Sequence, residues 1–126
     1  MAKHEKNRRE MMLMKDIAQG MYDNESDIFF IHKGFSPEES FTGNIDLGNI
    51  ILDLSSKGRI RGIEIMHATQ FLAGRNISKT VLHSFRRADF NIHLTNKAIL
   101  ITLSFEHIGS IIPAEISVPL TAGVCG

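Results

Sequence analysis

The chain is poor in the residues on which several protein classes depend. Among its 126 residues are one cysteine, three prolines, one tyrosine and no tryptophan. Because Cys125 has no second thiol in the chain, an intrachain disulfide is excluded, which is typical of a reducing compartment. No apolar run approaches the about 20 residues that cross a bilayer, and the apolar stretch 11–14 is too short for a secretory signal. We therefore expect a cytoplasmic protein without a membrane anchor.

What is present indicates an ordinary globular protein. Hydrophobic residues make up 43% of the chain and charged residues 22%, which is not the composition of a disordered protein. At this length we predict a single α+β domain, residues 22–126, preceded by an N-terminal extension, residues 1–21. The extension is predicted to be a frayed or loosely docked helix. A disordered leader, or an upstream extension before a start at Met14 or Met21, are the alternatives.

The formal net charge is zero, but the charged residues are segregated along the chain. Residues 1–21 carry a net charge of +2, residues 22–54 of −6, residues 55–97 of +6 and residues 98–126 of −2. Such segregation favours complementary faces, either within one monomer or between subunits. The alternative is that the charges mix again once the strands pair.

The apolar periodicity predicts an α+β fold with a predominantly antiparallel sheet of about seven strands and two short helices. The predicted strands cover residues 27–33, 40–45, 50–54, 59–66, 90–94, 98–105 and 111–120. Residues 67–73 and 79–85 are predicted to be the helices, the second with Ser78 as its N-cap. Pro113 and Pro119 cannot donate to a ladder of hydrogen bonds, so the last strand is predicted to be an edge.

Two glycines are predicted to shape the backbone between and within these strands. Gly58 ends the sequence Ser55-Ser56-Lys57-Gly58, which is typical of a tight turn with a positive φ at the glycine. Gly62 lies inside a predicted strand, where a glycine indicates a bulge or a close packing contact.

An acidic turn superficially resembles the start of a calcium loop. Asp23, Glu25 and Asp27 have the i, i+2, i+4 spacing, but the sixth position of the loop, which needs glycine, is Ile28. We predict instead that Asp23 or Asn24 forms a turn and that the acids stay solvated.

The sequence predicts no metal ion and no cofactor. Histidines are never separated by two or four residues, the spacings that aim two imidazoles at one ion from a strand or a helix. The segment 58–62 lacks the Lys-Ser/Thr ending of a phosphate loop, and no nucleophile elbow or activated cysteine is visible. We therefore predict no catalytic residue, and the protein is not expected to be an enzyme.

Glu64 is the best candidate for a functional carboxylate, because it lies in the middle of an apolar strand. A ligand site built from Asp53, Glu64 and His67 is the corresponding hypothesis. The simpler interpretation, which we prefer, is that Glu64 points outward or pairs with Arg59, Arg61 or another nearby base.

A basic stretch, residues 59–87, raises the possibility of nucleic-acid binding. Its basic side chains are Arg59, Arg61, Arg75, Lys79, Arg86 and Arg87. Against this hypothesis, the isoelectric point is near 7.0, tryptophan is absent, and no recognition helix or RNA-binding signature is visible. Nucleic-acid binding is therefore kept as an alternative.

A set of short motifs runs from Tyr22 to Ala68. It consists of Tyr22, Asp23 and Asp27 before the apolar strand 28–31, then Ile51-Leu52-Asp53-Leu54, Lys57-Gly58-Arg59, and Gly62-Ile63-Glu64-Ile65. In this set the chain resembles the domain of unknown function 2283 family, a group of short prokaryotic proteins. The resemblance implies a small β-rich cytoplasmic domain with no known catalytic residues. The long loop 32–48 and the strands from residue 90 onward depart from the family pattern.

Taken together, these observations predict a non-enzymatic module that self-associates and binds a protein partner. The apolar edge strands, the charge segregation and the lack of a reactive constellation support this function. The alternatives are a small-ligand-binding protein or an enzyme with a site around Glu64, and a nucleic-acid-binding protein that uses residues 59–87.

Overall fold

The computed structural model describes residues 17–120, which form eight strands and two short helices. In chain order these are β1 (Gln19–Asp23), β2 (Ile28–His32), β3 (Phe41–Asp46), β4 (Ile50–Ser55), β5 (Ile60–Met66), α1 (Ala68–Ala73), α2 (Lys79–Ser84), β6 (Arg87–Leu94), β7 (Ala98–His107) and β8 (Ser110–Pro119).

The first five strands form sheet A, in the order β1-β2-β5-β4-β3, and all neighbours are antiparallel. Successive side chains of a strand point to opposite faces of the sheet. Phe29 and Ile31 of β2 and Ile63 and Ile65 of β5 are therefore paired on one face, where all four are almost completely buried. We call this the inner face of sheet A, and the opposite one its outer face.

The turn between β4 and β5 has the predicted form. The amide of Gly58 donates to the carbonyl oxygen of Ser55 at 2.9 Å, and Gly58 has a φ of 76°. This positive φ is a conformation that glycine adopts without a steric cost. The register between β4 and β5 shifts next to Gly62, which confirms the predicted irregularity at that glycine.

Strands β6, β7 and β8 form a second antiparallel sheet, sheet B. The apolar face predicted from alternation in β7 is confirmed, since its four residues are at most 6% exposed: Ile99, Ile101, Leu103 and Phe105. Strand β8 is an edge of this sheet, as the missing amide donors of Pro113 and Pro119 predict.

Both predicted helices are present. In the sequence they follow the last strand of sheet A and precede the first strand of sheet B. Helix α1 ends at Gly74. Helix α2 begins after Ser78, whose side chain accepts a hydrogen bond from the amide of Val81 at 3.2 Å, a standard N-cap. Val81 and Leu82 turn inward and are buried.

The inner face of sheet A, the apolar face of sheet B and the helices share one hydrophobic core. Three phenylalanines from different elements meet in it. The ring centroid of Phe105 lies 5.2 Å from that of Phe29 and 5.5 Å from that of Phe85, and Phe29 and Phe85 are 5.8 Å apart. These edge-on and tilted contacts join β2, β7 and the segment after α2.

The number of strands differs from the prediction by one. Eight strands are observed instead of seven because residues 19–23, in part predicted as the end of a helix, form β1 at an edge of sheet A. Gly20 lies inside this strand. A Cβ atom at this position would lie 2.9 Å from the Cβ of Ala88, so the missing side chain lets β1 approach β6 closely. The rest of the predicted N-terminal helix lies outside the described residues.

Candidate functional site

Three rows of paired residues cross the outer face of sheet A, because partners on antiparallel strands share a face. The middle row contains Met21, Phe30, Glu64, Ile51 and Asp46; one flanking row contains Gln19, His32, Gly62, Asp53 and Asn44; the other contains Asp23, Ile28 and Met66. The helices and sheet B pack against the opposite face.

This outer face combines apolar side chains with negative charge. Met21 is 61% exposed, and Phe30 and Ile51 are half-buried. The three rows hold four carboxylates and neither lysine nor arginine. An open groove of about 790 Å³ follows the β1–β2 side, from Ile17 to Phe35. Lys33 borders this groove, but its ammonium group turns to Asp89 and the ring of Phe90 in sheet B.

Glu64 occupies the centre of the face, between Phe30 and Ile51 on the neighbouring strands. It is half-buried, and no hydrogen bond or ion pair to its carboxylate is found within residues 17–120. Of the two interpretations that the sequence allowed, outward orientation is therefore the observed one. Arg59 and Arg61 have other partners.

Both arginines contact Glu39, a buried acid in the loop between β2 and β3. Arg59 donates to both carboxylate oxygens, and Nε of Arg61 lies 3.7 Å from Oε1. Arg61 also donates to the carbonyl oxygens of Gly34 at 2.8 Å and Lys33 at 3.1 Å. The hydrogen bonds from Arg59 and Ser55 hold the pKa of Glu39 far below its usual range. The cluster thus fixes the long loop against β5.

His32 and Asp53 face each other across Gly62 in one flanking row. Nδ1 of His32 accepts a hydrogen bond from the amide of Gly34 at 2.7 Å, and its Nε2 lies 3.6 Å from Oδ2 of Asp53. A Cβ atom on Gly62 would come within 2.6 Å of both side chains, so the glycine makes room for the pair. The His32 ring thus connects the backbone after β2 with Asp53 of β4.

The acidic turn between β1 and β2 supports the backbone. Oδ1 of Asp23 accepts from the amide of Glu25 and its Oδ2 from Oγ of Ser26, which confirms the predicted turn. Asp27 has a φ of 56°. The prediction that its carboxylate stays solvated is wrong. Its carboxylate accepts hydrogen bonds from the Tyr22 hydroxyl at 2.7 Å and from the amide and hydroxyl of Thr69 at 3.0 and 2.8 Å.

Asp27 therefore caps helix α1 from a distant point of the chain. His67, at the N-cap position, makes no capping hydrogen bond with its side chain, and Asp27 satisfies the first-turn amide of Thr69 instead. Partial burial acts to raise the pKa of Asp27, but the hydrogen bonds from Tyr22 and Thr69 outweigh it and lower the pKa. Desolvation, together with the hydrogen bond to Asp27, raises the pKa of Tyr22 to about 12.

Two of the three residues of the hypothetical ligand site share the outer face. Asp53 and Glu64 lie in adjacent rows. His67 is exposed at the start of α1, where its proximity contributes to the lowered pKa of Asp27. The structure thus associates Asp53 with His32 and Glu64 with the apolar middle row.

A serine and a histidine that the sequence does not connect meet beside α2. Oγ of Ser84 lies 2.8 Å from Nε2 of His107 and donates its proton to the carbonyl oxygen of Thr80 at 2.6 Å. Nε2 must then be the donor to Oγ, which is the opposite of the arrangement that activates a serine nucleophile. Only the pairing of α2 with β7 brings these residues together.

Most basic side chains of residues 59–87 contact protein groups. In addition to Arg59 and Arg61, Arg75 stacks on the Phe71 ring at 3.8 Å, and Nε of Arg86 lies 3.8 Å from Glu106. Among residues 17–120, no three histidine, cysteine, aspartate or glutamate side chains are grouped to hold a metal ion. No helix in the same part of the chain is long and apolar enough to span a membrane.

Comparison with known proteins identifies the segment that forms sheet A. Residues 21–68 match the family model described as protein of unknown function (DUF2283), which confirms the resemblance seen in the motifs. The matched segment runs from β1 to the first residue of α1. No curated protein matches the chain, and no solved structure does.

Proposed function

We propose that the protein is a non-enzymatic module that binds protein chains, including further copies of itself, through the outer face of sheet A. The observation that supports this function is the composition of that face. Exposed and half-buried apolar side chains surround Glu64, a carboxylate without a partner in residues 17–120. Apolar surfaces of this kind, with a polar rim, are typical of binding sites for other proteins.

The charge of the face defines the chemistry of its partner. Four carboxylates without a lysine or arginine repel a second copy of the same face, because like charges across an interface are unfavourable. The partner must therefore present apolar side chains together with lysine or arginine. In self-association, the second copy has to bring these from another part of its chain.

The polar constellations of the described residues favour binding over catalysis. His32 uses both ring nitrogens in contacts with Gly34 and Asp53. Ser84 donates its proton to a backbone carbonyl and not to His107. Neither pair offers a base and a nucleophile in the roles that covalent catalysis needs. The expected location of the protein remains the cytoplasm, a compartment in which disulfides are rare.

A charge substitution at the face tests self-association. Met21→Lys places an ammonium group among the apolar residues of the middle row, and we expect it to weaken association by about tenfold or more, the effect of losing an interface anchor. Sedimentation velocity and light scattering over a concentration series measure the change.

Ile111→Lys is the matched control, because Ile111 is 64% exposed, like Met21, but lies on sheet B. Both variants are checked for unchanged unfolding midpoints. A wild-type protein that stays monomeric at millimolar concentration, or equal effects of the two substitutions, contradicts the proposal.

A further inference from the structure

We propose that residues 1–16 of the same chain cover the outer face of sheet A and compete there with protein partners. The inference rests on the proposed function, because it uses the same face. It adds a form of regulation, in which a segment of the same chain competes with protein partners for that face.

The position at which the chain enters the described structure supports this assignment. Ile17 precedes the edge strand β1, is 44% exposed, and borders the groove that runs along β1 and β2. Neighbouring strands are about 4.8 Å apart, so Glu64 on β5 lies two strand spacings, roughly 10 Å, from β1. An extended chain covers this distance with about three residues. Residues 1–16 are therefore long enough to cross the whole face.

The composition of residues 1–16 matches the face in both respects. Four of its apolar residues are contiguous: Met11, Met12, Leu13 and Met14. Its basic residues are Lys3, Lys6, Arg8, Arg9 and Lys15, against three acids, which gives a net charge of +2. The outer face offers apolar side chains and four carboxylates without lysine or arginine. Unbranched methionines adapt well to such an irregular surface.

The position of Glu64 favours a cation from outside the described residues. It is a half-buried carboxylate among apolar neighbours, and an opposite charge at such a site forms a stronger contact than at a fully exposed one. Arg59 and Arg61 contact Glu39 of the loop between β2 and β3, and Lys33 contacts Asp89. A lysine or arginine of residues 1–16 is the nearest source along the chain.

The predicted consequence is a salt-dependent competition. Ion pairs between residues 1–16 and the outer face weaken as ionic strength rises, because the charges are partly exposed. A partner with stronger apolar contacts then displaces the segment more easily.

Zero-length cross-linking of the full chain tests the proposal. A carbodiimide joins a lysine amine to a carboxylate that it touches, and mass spectrometry of an equal mixture of ¹⁴N- and ¹⁵N-labelled protein separates links within one chain from links between chains. The pair Lys57–Glu38, with 3.0 Å between Nζ and Oε2, is the internal positive control. We expect same-chain links from Lys3, Lys6 or Lys15 to Glu64 or Asp53, and we expect Glu64→Gln to abolish those at position 64 alone.

Each result either supports or overturns the inference, and failure of the inference can be distinguished from failure of the proposed function. Formation of the Lys57–Glu38 link without links to the outer face overturns the inference, as do links from residues 1–16 mainly to Glu106 or Glu115 of sheet B. Links between differently labelled chains also overturn it, because the occupant is then a second copy, while they support self-association. Same-chain links together with no effect of Met21→Lys on association support the inference and contradict the proposed function.

Discussion

Tyr22 and Asp27 show how a short sequence motif can be structural at the level of single side chains. The two residues begin the set of motifs that matches the family model, and the sequence predicted Asp27 to be a solvated acid. The structure uses them to hold the start of helix α1, since Tyr22 donates to Asp27 and Asp27 accepts from Thr69. The motif therefore joins β1, the first turn and the helix that follows β5.

The ionisation of Tyr22 gives a direct measure of this network. Desolvation and the Asp27 carboxylate raise the pKa of Tyr22 to about 12, and Tyr22 is the only tyrosine in a chain without tryptophan. We expect the phenolate absorbance at about 295 nm, followed after rapid pH jumps, to rise with a midpoint near pH 12 in the folded protein and near about 10 in urea. Asp27→Asn should lower the folded midpoint towards 10.

The same shift links Tyr22 to stability at high pH. Because the folded pKa is above the unfolded one, the contribution of the protonated hydroxyl is complete below about pH 10 and is lost as pH rises through 12. Tyr22→Phe should therefore unfold with a weaker pH dependence in this interval. Equal dependence in the wild type and in Tyr22→Phe would contradict the assignment.

At the scale of elements, two glycines of sheet A differ in what a side chain at their position would contact. A Cβ atom at Gly20 meets the Cβ of Ala88, which is fixed to the backbone of β6. A Cβ atom at Gly62 meets the ends of the His32 and Asp53 side chains, which can rotate away. Gly20 thus controls the distance between two strands, and Gly62 only the arrangement of one side-chain pair.

The comparison of Gly20→Ala with Gly62→Ala tests this difference. We expect Gly20→Ala to lower the free energy of unfolding by about 1–3 kcal/mol, the usual cost of overpacking. Gly62→Ala should cost about 1 kcal/mol or less, the energy of displaced rotamers. Urea unfolding measures both values.

The double variant Gly20→Ala/Ala88→Gly provides the control, because it removes the methyl group that the new side chain meets. It should recover part of the loss at Gly20, whereas no recovery would place the strain elsewhere.

At the scale of the whole molecule, the two sheets depend on each other through one core. Phe105 of sheet B touches Phe29 of sheet A and Phe85 after α2. None of the strand pairs links sheet A to sheet B in the described part of the chain, so side-chain packing joins them. We expect both sheets to unfold in one transition.

Phe105→Ala tests this dependence. Phe105 is 0% exposed, and its truncation should lower the free energy of unfolding by about 3–5 kcal/mol, as for buried aromatic residues in general. The fluorescence of Tyr22, which reports on sheet A, should follow the same midpoint as the circular dichroism of the whole protein. Leu100→Ala, on the exposed face of the same strand, should change the value by only about 0.5 kcal/mol. Separate midpoints for the two probes would contradict a shared core.

The sequence by itself determined the local structure of the protein. Alternation in 98–105 predicted the buried face of β7, Ser78 predicted the cap of α2, and Gly58 predicted the turn between β4 and β5, because each depends on residues close in the chain. The family segment was identified for the same reason. Strand β1 was missed, since a five-residue edge strand with an exposed methionine has little periodicity of its own.

The tertiary structure decided which of the charged residues share a surface. Glu64 was recognised as a candidate from its strand, but its position in the middle of an acidic and apolar face depends on the order of five strands. The partners Glu39 and Arg59, Asp27 and Thr69, and Ser84 and His107 are 20, 42 and 23 residues apart. Such contacts depend on long-range strand pairing and packing, which a pattern of neighbouring residues does not contain.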